Sequence, residues 1–389
     1  MKIAILTQPL HTNYGGILQA YAVQKMLSDR GHEVVTLDIQ HKDIKISLYA
    51  QIRLFVTTLL LFLIKRIKSK DIIWPYNTKK RNRKLVIASF RNFVNRIIRL
   101  SPEIRTEEVL MKYIKEADFD AYVVGSDQVW RPRYSPHIYW FFLDFLSDDF
   151  KGKRIAFSAS FGTSEWEYSK EQTEYLRPFV KRFDAISVRE QSGVDLCKTY
   201  FDIPAIQVLD PTMMLTPKDY AELVNLDKHH TYSMEGTIFS YVLDDTNEIR
   251  TIVDGISATL GFSVQQLGIH NYDYSPYTSV KQIAKYLPKP ISQWLRCFQE
   301  TEFVVTDSFH GTVFSILHHK PFVVVANPMR GFARIETLLN MFGLNDRLVN
   351  SAAEHSRDWL LHGIQWDRVD SVLTKKREEF LTFIDVALI

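Results

Sequence analysis

The sequence predicts an α/β protein of two domains, each a series of strand, turn and helix units. Short β-branched runs repeatedly end in polar turns that lead straight into amphipathic helices, and open α/β sheets place their ligands at such strand ends. The chain has 389 residues, more than one ordinary core holds at roughly 150 residues per domain. A polar stretch from Pro217 to Glu235 separates one such series from a second. The expected division is 1–215, with an insertion at about 44–100, then 216–365, with 366–389 as a helix packing back.

Composition narrows the class. Hydrophobic residues make up 46% and charged residues 24%, the balance of a soluble globular protein. A net charge of +3 is too small to imply nucleic-acid binding. Cys197 and Cys297 are far apart and without a metal-ligand pattern, which suits a reducing cytoplasm. The opening MKIAIL enters directly on a strand-like run, so no signal peptide is expected. No His/Asp/Glu cluster has ligand spacing, so no metal is expected either.

Lys2 to Leu6 reads as a buried strand, His11 to Gly16 as a loop, Ile17 to Arg30 as a helix and Glu33 to Asp38 as the next strand. Asn13-Tyr14-Gly15-Gly16 sits at the crossing. Paired glycines there either let a ligand approach the backbone or simply make the turn, and Thr12 or Asn13 can cap the helix. The pattern is not the dinucleotide fingerprint.

Ile44 to Leu100 departs from this rhythm. Leu54 to Ile64 is almost continuously apolar but falls short of the about 20 residues a spanning helix needs. Lys65 to Arg99 is strongly basic, with Trp74 and Tyr76 inside it and Asp71 as its one acid. Such a segment is either an interfacial anchor for anionic lipid or a helical insertion with a solvated basic face.

Order resumes at Phe119. Ala121 to Val124 ends in Gly125-Ser126-Asp127, where Asp127 is a candidate base or, with Ser126, a cap. Arg154 to Phe157 runs into Ser158-Ala159-Ser160, Ser169 to Lys181 reads as a helix, and Ala185 to Val188 ends in Arg189-Glu190, before a helix from Gln191 to Tyr200. Arg189 suits a carboxylate or phosphate if it is not a plain ion pair with Glu190. Val208-Leu209-Asp210-Pro211-Thr212 is the last strand end of this half. The second half reads as a strand from Thr237 to Leu243, a helix from Asn247 to Leu260, a strand from Phe262 to Leu267 and a helix from Ile291 to Gln299. Phe303-Val304-Val305, the turn Thr306 to Gly311 and a helix from Thr312 to His319 follow. Exposed N–H groups at this turn favour an anion, and His310 can supply a proton. Glu336 to Phe342 and Val369 to Ile389 are the remaining helices.

Five of these strand-end motifs occur in an order that resembles the polysaccharide pyruvyl transferases: Asn13 to Gly16 with Leu18-Gln19-Ala20-Tyr21, Val124 to Trp130, Val188-Arg189-Glu190, Leu209 to Thr212, and Asp307 to Gly311. The resemblance implies two Rossmann-like domains facing a central cleft, similar to the GT-B glycosyltransferases. It implies transfer of a pyruvyl group from phosphoenolpyruvate to two hydroxyls of a sugar, giving a cyclic ketal and phosphate. The acceptor would be a cell-surface polysaccharide or its lipid-linked precursor, and the location cytoplasmic, with the 44–100 segment as a candidate contact with the membrane face. Phosphoenolpyruvate is then a co-substrate, with no further cofactor.

On this reading His310 protonates the methylene carbon and Asp127 accepts a hydroxyl proton. Arg189, Ser308, Arg334 and the amides near Phe309 and Gly311 bind the donor. Asn13, Tyr14, Gly15, Gly16, Ser126 and Ser160 line the cleft. Many members of the family carry an arginine two residues before the motif histidine, where this chain has Ser308; Arg330, Arg334 or Arg347 are the candidates to replace it. The competing expectations are a glycosyltransferase using a nucleotide sugar and a non-catalytic glycan-binding protein of the same fold.

Overall fold

The computed structural model describes residues 1–41, 48–63, 75–226, 233–267, 288–327, 332–350 and 363–389. Two parallel sheets organise it.

The first sheet comprises β1 (Lys2–Leu6), β2 (Glu33–Ile39), β3 (Leu100–Ile104), β4 (Ala121–Val124), β5 (Lys153–Ala159), β6 (Ala185–Val188) and β7 (Ile206–Gln207). Their order is β3-β2-β1-β4-β5-β6-β7, so the direction of winding reverses between β1 and β4. The central strands are buried along almost their whole length, as strands covered by helices on both faces must be. The helices of this half are α1 (Tyr14–Asp29), α2 (Leu48–Leu63), α3 (Pro75–Ile97), α4 (Glu107–Ala117), α5 (Lys170–Val180) and α6 (Gln191–Leu196); α2 lies against α3 and the others cover the sheet. A further helix, α7 (Pro217–Asn225), leads out of this half.

The second sheet holds β8 (Thr237–Tyr241), β9 (Ser263–Gln266), β10 (Phe303–Thr306), β11 (Phe322–Val325) and β12 (Leu348–Val349) in the order β12-β11-β10-β8-β9. Its winding reverses between β8 and β10. Its helices are α8 (Asn247–Leu260), α9 (Ile291–Glu300), α10 (Phe309–Leu317) and α11 (Phe332–Phe342), and the chain ends in α12 (Trp366–Leu388). The protein is therefore an α/β fold of two Rossmann-like domains.

The halves are not independent bodies. One hydrophobic cluster runs from Ile3 and Ile17 of the first to Val304, Val313 and Phe322 of the second. At its centre Tyr14 stacks on Trp294 at 5.3 Å and 6°. The last helix, α12, sets Phe380 against Phe157 of β5 at 4.8 Å and also lies against α11.

Several sequence expectations are corrected. The helix after the glycine loop begins at Tyr14 and not at Ile17, which puts Gly15 and Gly16 in its first turn. β3 and α4 precede Phe119, where order was expected to resume. The polar stretch from Pro217 opens as a helix because Thr216 and Asp219 form a capping box; residues 227–232 lie outside the described residues. The insertion contributes α2 and α3, and Val86, Phe90 and Val94 of α3 are buried in the core. Its Arg91 donates from Nη1 to Asp38 at 2.9 Å. Lys65, Lys68, Lys70 and Trp74 lie outside the described residues. Among the described residues no helix is long and apolar enough to cross a membrane.

Candidate active site

The two points of reversed winding face each other, and a cavity of about 540 Å³ lies between them. From the first sheet it is lined by the turn after β1, with Gln8, His11, Thr12 and Asn13, and by Asp127 and Gln128 after β4. From the second it is lined by Tyr241 at the end of β8 and Leu243 beyond it, by Asp307 to His310 after β10, and by Arg334 of α11. Crevices outside the carboxyl ends of strands at such switch points are where open α/β sheets bind ligands.

The turn after β10 is built tightly. Thr306 donates from Oγ1 to the Tyr241 carbonyl at 2.6 Å and accepts the Ser308 N–H at 3.1 Å. Asp307 accepts the N–H groups of Leu243 at 2.6 Å and Asp244 at 3.2 Å, which ties the β8 and β10 turns together. Burial pushes its carboxyl up from the usual carboxylate range. Ser308 is the N-cap of α10 and accepts the Gly311 N–H at 3.4 Å. Gly311 packs against Thr306, so close that a Cβ would fall 2.1 Å from Oγ1. The Gly311 amide is thus spent on the cap and not directed at a ligand. The first-turn residues Phe309 and His310, whose N–H groups have no partner within a helix, both line the cavity.

His310 lies at the centre of a charge cluster contributed by both sheets. Its Nε2 is 3.6 Å from Asp210 Oδ2, just beyond hydrogen-bond reach. The other edge of the ring faces α1, where a Cβ on Gly15 would fall 2.0 Å from Nδ1. Arg189 donates from Nη1 to Asp210 at 2.6 Å and from Nη2 to Asp127 at 3.3 Å. Arg334 approaches Asp127 to 3.8 Å. Both guanidinium groups lie against the Phe309 ring, 4.5 Å and 5.7 Å from its centroid, within cation–π range.

Electrostatics follows from this packing. Burial works against the Asp210 carboxylate, yet His310, Arg189 and Thr212 hold it well below the usual carboxylate range. Burial likewise opposes the Asp127 charge, and Arg189, His310 and Arg334 outweigh it, leaving that carboxyl lowered. Arg334 is brought down to about 10, first by burial and then by the neighbouring charge of Arg189. Asp127 also has a left-handed backbone, φ 68°, a conformation that aspartate tolerates better than most residues. Asn13 stands at the N-cap of α1 but makes no cap bond; its Nδ2 donates to Asp127 at 3.4 Å.

The structure brings together Asn13, Asp127, Ser308, Phe309, His310 and Arg334 around the cavity. Other expected positions lie elsewhere. Arg189, read as a donor contact, is buried behind the cavity wall and paired through Nη1 and Nη2 with two carboxylates. Tyr14 is buried against Trp294 and Phe90 and donates to the Lys289 carbonyl at 2.8 Å. Gly15 faces His310, and Gly16 faces Asn13. Ser126 is buried, 3.5 Å from Ser158 Oγ. Ser160 donates to Glu190 at 2.8 Å, a carboxylate that also accepts the Phe161 and Gly162 N–H groups. Of the candidates to replace an arginine at Ser308, Arg334 lines the cavity, Arg347 is paired with Asp346 at 2.9 Å, and Arg330 lies outside the described residues. Sequence reasoning assigned no role to Asp210, although its strand-end motif was visible, and none to Tyr241. Among the described residues no group of three or more His, Cys, Asp or Glu could hold a metal ion.

The family model described as polysaccharide pyruvyl transferase matches residues 13–328. No curated protein matches the sequence. Among solved structures, the co-structure of S. aureus MnaA with UDP has 11% identity over 100% of this chain and 98% of that chain, with a TM-score of 0.50. A glycosyltransferase from Rickettsia africae ESF-5 has 10% identity over 100% and 96%, with a TM-score of 0.48. UDP-N-acetylglucosamine 2-epimerase from Rickettsia bellii has 8% identity over 99% and 97%, with a TM-score of 0.43. At such identities the first of these likenesses speaks for the fold alone.

Proposed function

The chain belongs to the polysaccharide pyruvyl transferase family, and from that membership we propose that its cleft transfers the pyruvyl group of phosphoenolpyruvate to two hydroxyls of a glycan, forming a cyclic ketal. The observation that carries the reading is His310 beside Asp210 at the wall of a cavity that also presents Arg334. An acid, its carboxylate partner and a cation for an anionic donor meet at one place.

The donor's carboxylate and phosphate are met by Arg334 and by the amino end of α10. His310 gives a proton to the methylene carbon, which becomes the methyl group and leaves C2 electrophilic. A sugar hydroxyl adds to C2 and loses its proton. The bond from C2 to the phosphate oxygen then breaks, and a second hydroxyl takes its place. Of the two hydroxyl protons, one in net ends on the methyl group and the other leaves with phosphate. Asp210, charged throughout, is the anionic neighbour of the proton that His310 carries. Asp127 accepts the hydroxyl proton; with its lowered pKa it is a weak base that acts as the new C–O bond forms. Phosphoenolpyruvate is the co-substrate and no other cofactor is invoked. As an intracellular metabolite it sets the reaction in the cytoplasm, on a polysaccharide precursor.

Incubation with phosphoenolpyruvate and candidate glycans should release phosphate in step with a matching mass gain on the sugar. His310→Ala should abolish turnover with the fold intact. Asp210→Asn should lower kcat by about 100-fold with the donor KM little changed. Consumption of a nucleotide sugar in place of phosphoenolpyruvate would overturn the proposal.

A further inference from the structure

α2 wears its apolar stripe on the outside. Leu48, Ile52, Val56, Leu59, Leu60 and Leu63 are between 40% and 69% exposed. At 100° per residue they fall within an arc of about 120°, the width that an amphipathic helix normally turns toward a core. The helix lies against α3, which is itself fixed by its buried Val86, Phe90 and Val94 and by Arg91 on Asp38. The stripe is thus presented outward from an anchored support. A contiguous exposed apolar face of this kind marks an interaction surface.

Charge identifies what it fits. Residues 44–99 contain fourteen lysines and arginines against the single acid Asp71, while the whole chain is only +3. The remainder of the molecule is therefore net negative, and its positive charge is gathered in the segment that bears the stripe. A second copy docked through α2 would oppose two such segments of like sign. An anionic surface with an apolar interior satisfies both the stripe and the charge.

We propose that the exposed face of α2 docks this protein on an anionic lipid surface, with the helix lying in the plane of the interface. At sixteen residues the helix is about 24 Å long, too short to span a hydrocarbon core of about 30 Å. The docking face connects to the cleft through α3. Phe90 packs on Tyr14 at 5.0 Å, and the next residue, Gly15, bounds the His310 ring. Docking would hold the cavity at the membrane face, where a lipid-linked acceptor resides.

The full chain should be sedimented with vesicles of phosphatidylcholine alone and of phosphatidylcholine with phosphatidylglycerol. Binding should rise about tenfold or more with the anionic lipid and fall in high salt. Leu59→Glu with Leu63→Glu should reduce it by about tenfold or more. Because both side chains are exposed, circular dichroism and turnover of a soluble acceptor should be unchanged, which separates docking from the chemistry of the cleft. Equal binding to neutral and anionic vesicles would overturn the proposal, as would equal binding by the double variant. So would a concentration-dependent dimer in sedimentation velocity that the same substitutions abolish, since the stripe would then belong to a second copy.

Discussion

Gly15 is the wall against which His310 stands: a Cβ at position 15 would lie 2.0 Å from the imidazole Nδ1. One residue comes from the first turn of α1, the other from the first turn of α10, so the absence of a side chain in one half sets the position of the proposed acid in the other. Its backbone is not in the left-handed region, and the requirement for glycine is therefore steric.

Gly15→Ala should cost about 1–3 kcal/mol of stability by overpacking and lower kcat by about 100-fold, the effect of shifting a reacting group by about 1 Å. In a His310→Ala background the collision is gone. There the same substitution should be neutral, or stabilising by up to about 1 kcal/mol through helix propensity. Thermal melts of the four proteins of the cycle measure this directly, and a penalty that survives in the double variant would show that something other than His310 bounds position 15.

Two arginines, one buried behind the wall and one lining it, should fail differently. Arg189→Lys leaves Asp210 and Asp127 incompletely paired in the interior and should destabilise the fold by about 3–5 kcal/mol. Arg334→Gln leaves Asp127 its contact with Arg189; it should change stability little and raise the donor KM by about tenfold or more. Steady-state kinetics beside denaturant melts distinguishes them. Native stability in Arg189→Lys with only KM altered would mean that Arg189 meets the donor itself.

His318 gives the fold a pH dependence of its own. Burial first, and then the charges of Lys320 and His319, bring its pKa from 6.5 down to about 4. The folded state therefore favours the neutral ring. Its contribution, about 3 kcal/mol, is complete above pH 6.5 and is lost as pH falls toward 4. Asp210 and Asp127, held low in the fold, add stability that is present above the ordinary carboxylate range and disappears only at lower pH. Replacing His318, which stacks on Phe314 at 6.3 Å, with Phe should flatten the upper part of the acid profile and leave the lower part. Urea melts at about pH 7, 5.5 and 4.5 resolve the two ranges; an unchanged slope above about pH 4.5 in His318→Phe would exclude the assignment.

The strands were legible because parallel strands buried on both faces read as unbroken β-branched runs, as in Ala121 to Val124 and Phe303 to Val305. His310 was legible for a related reason, since a turn between a buried strand and an apolar helix can only open at the sheet's carboxyl edge. The partners of Arg189 were not. Asp210 and Asp127 stand 21 and 62 residues away, and only the winding of β4, β6 and β7 into one edge brings them together. The glycine loop misled for a local reason: paired glycines suggest a ligand, whereas here the helix starts before them and Gly15 makes room for a side chain. Nor does periodicity reveal which way a stripe faces, so the exposure of the α2 stripe could not be read from the sequence.

The stack of Tyr14 on Trp294, with the Tyr14 hydroxyl donating to Lys289, bears on how such proteins can be recombined. A two-domain sequence invites exchange at the crossing, one half from each of two relatives. Here that exchange would cut through a single interior, because the residue that opens α1 is packed by a residue of α9. The interchangeable piece is accordingly not the Rossmann domain. It is the domain together with the opening turn of α1, and a chimera that respects sheet boundaries alone would inherit mismatched halves of one aromatic joint.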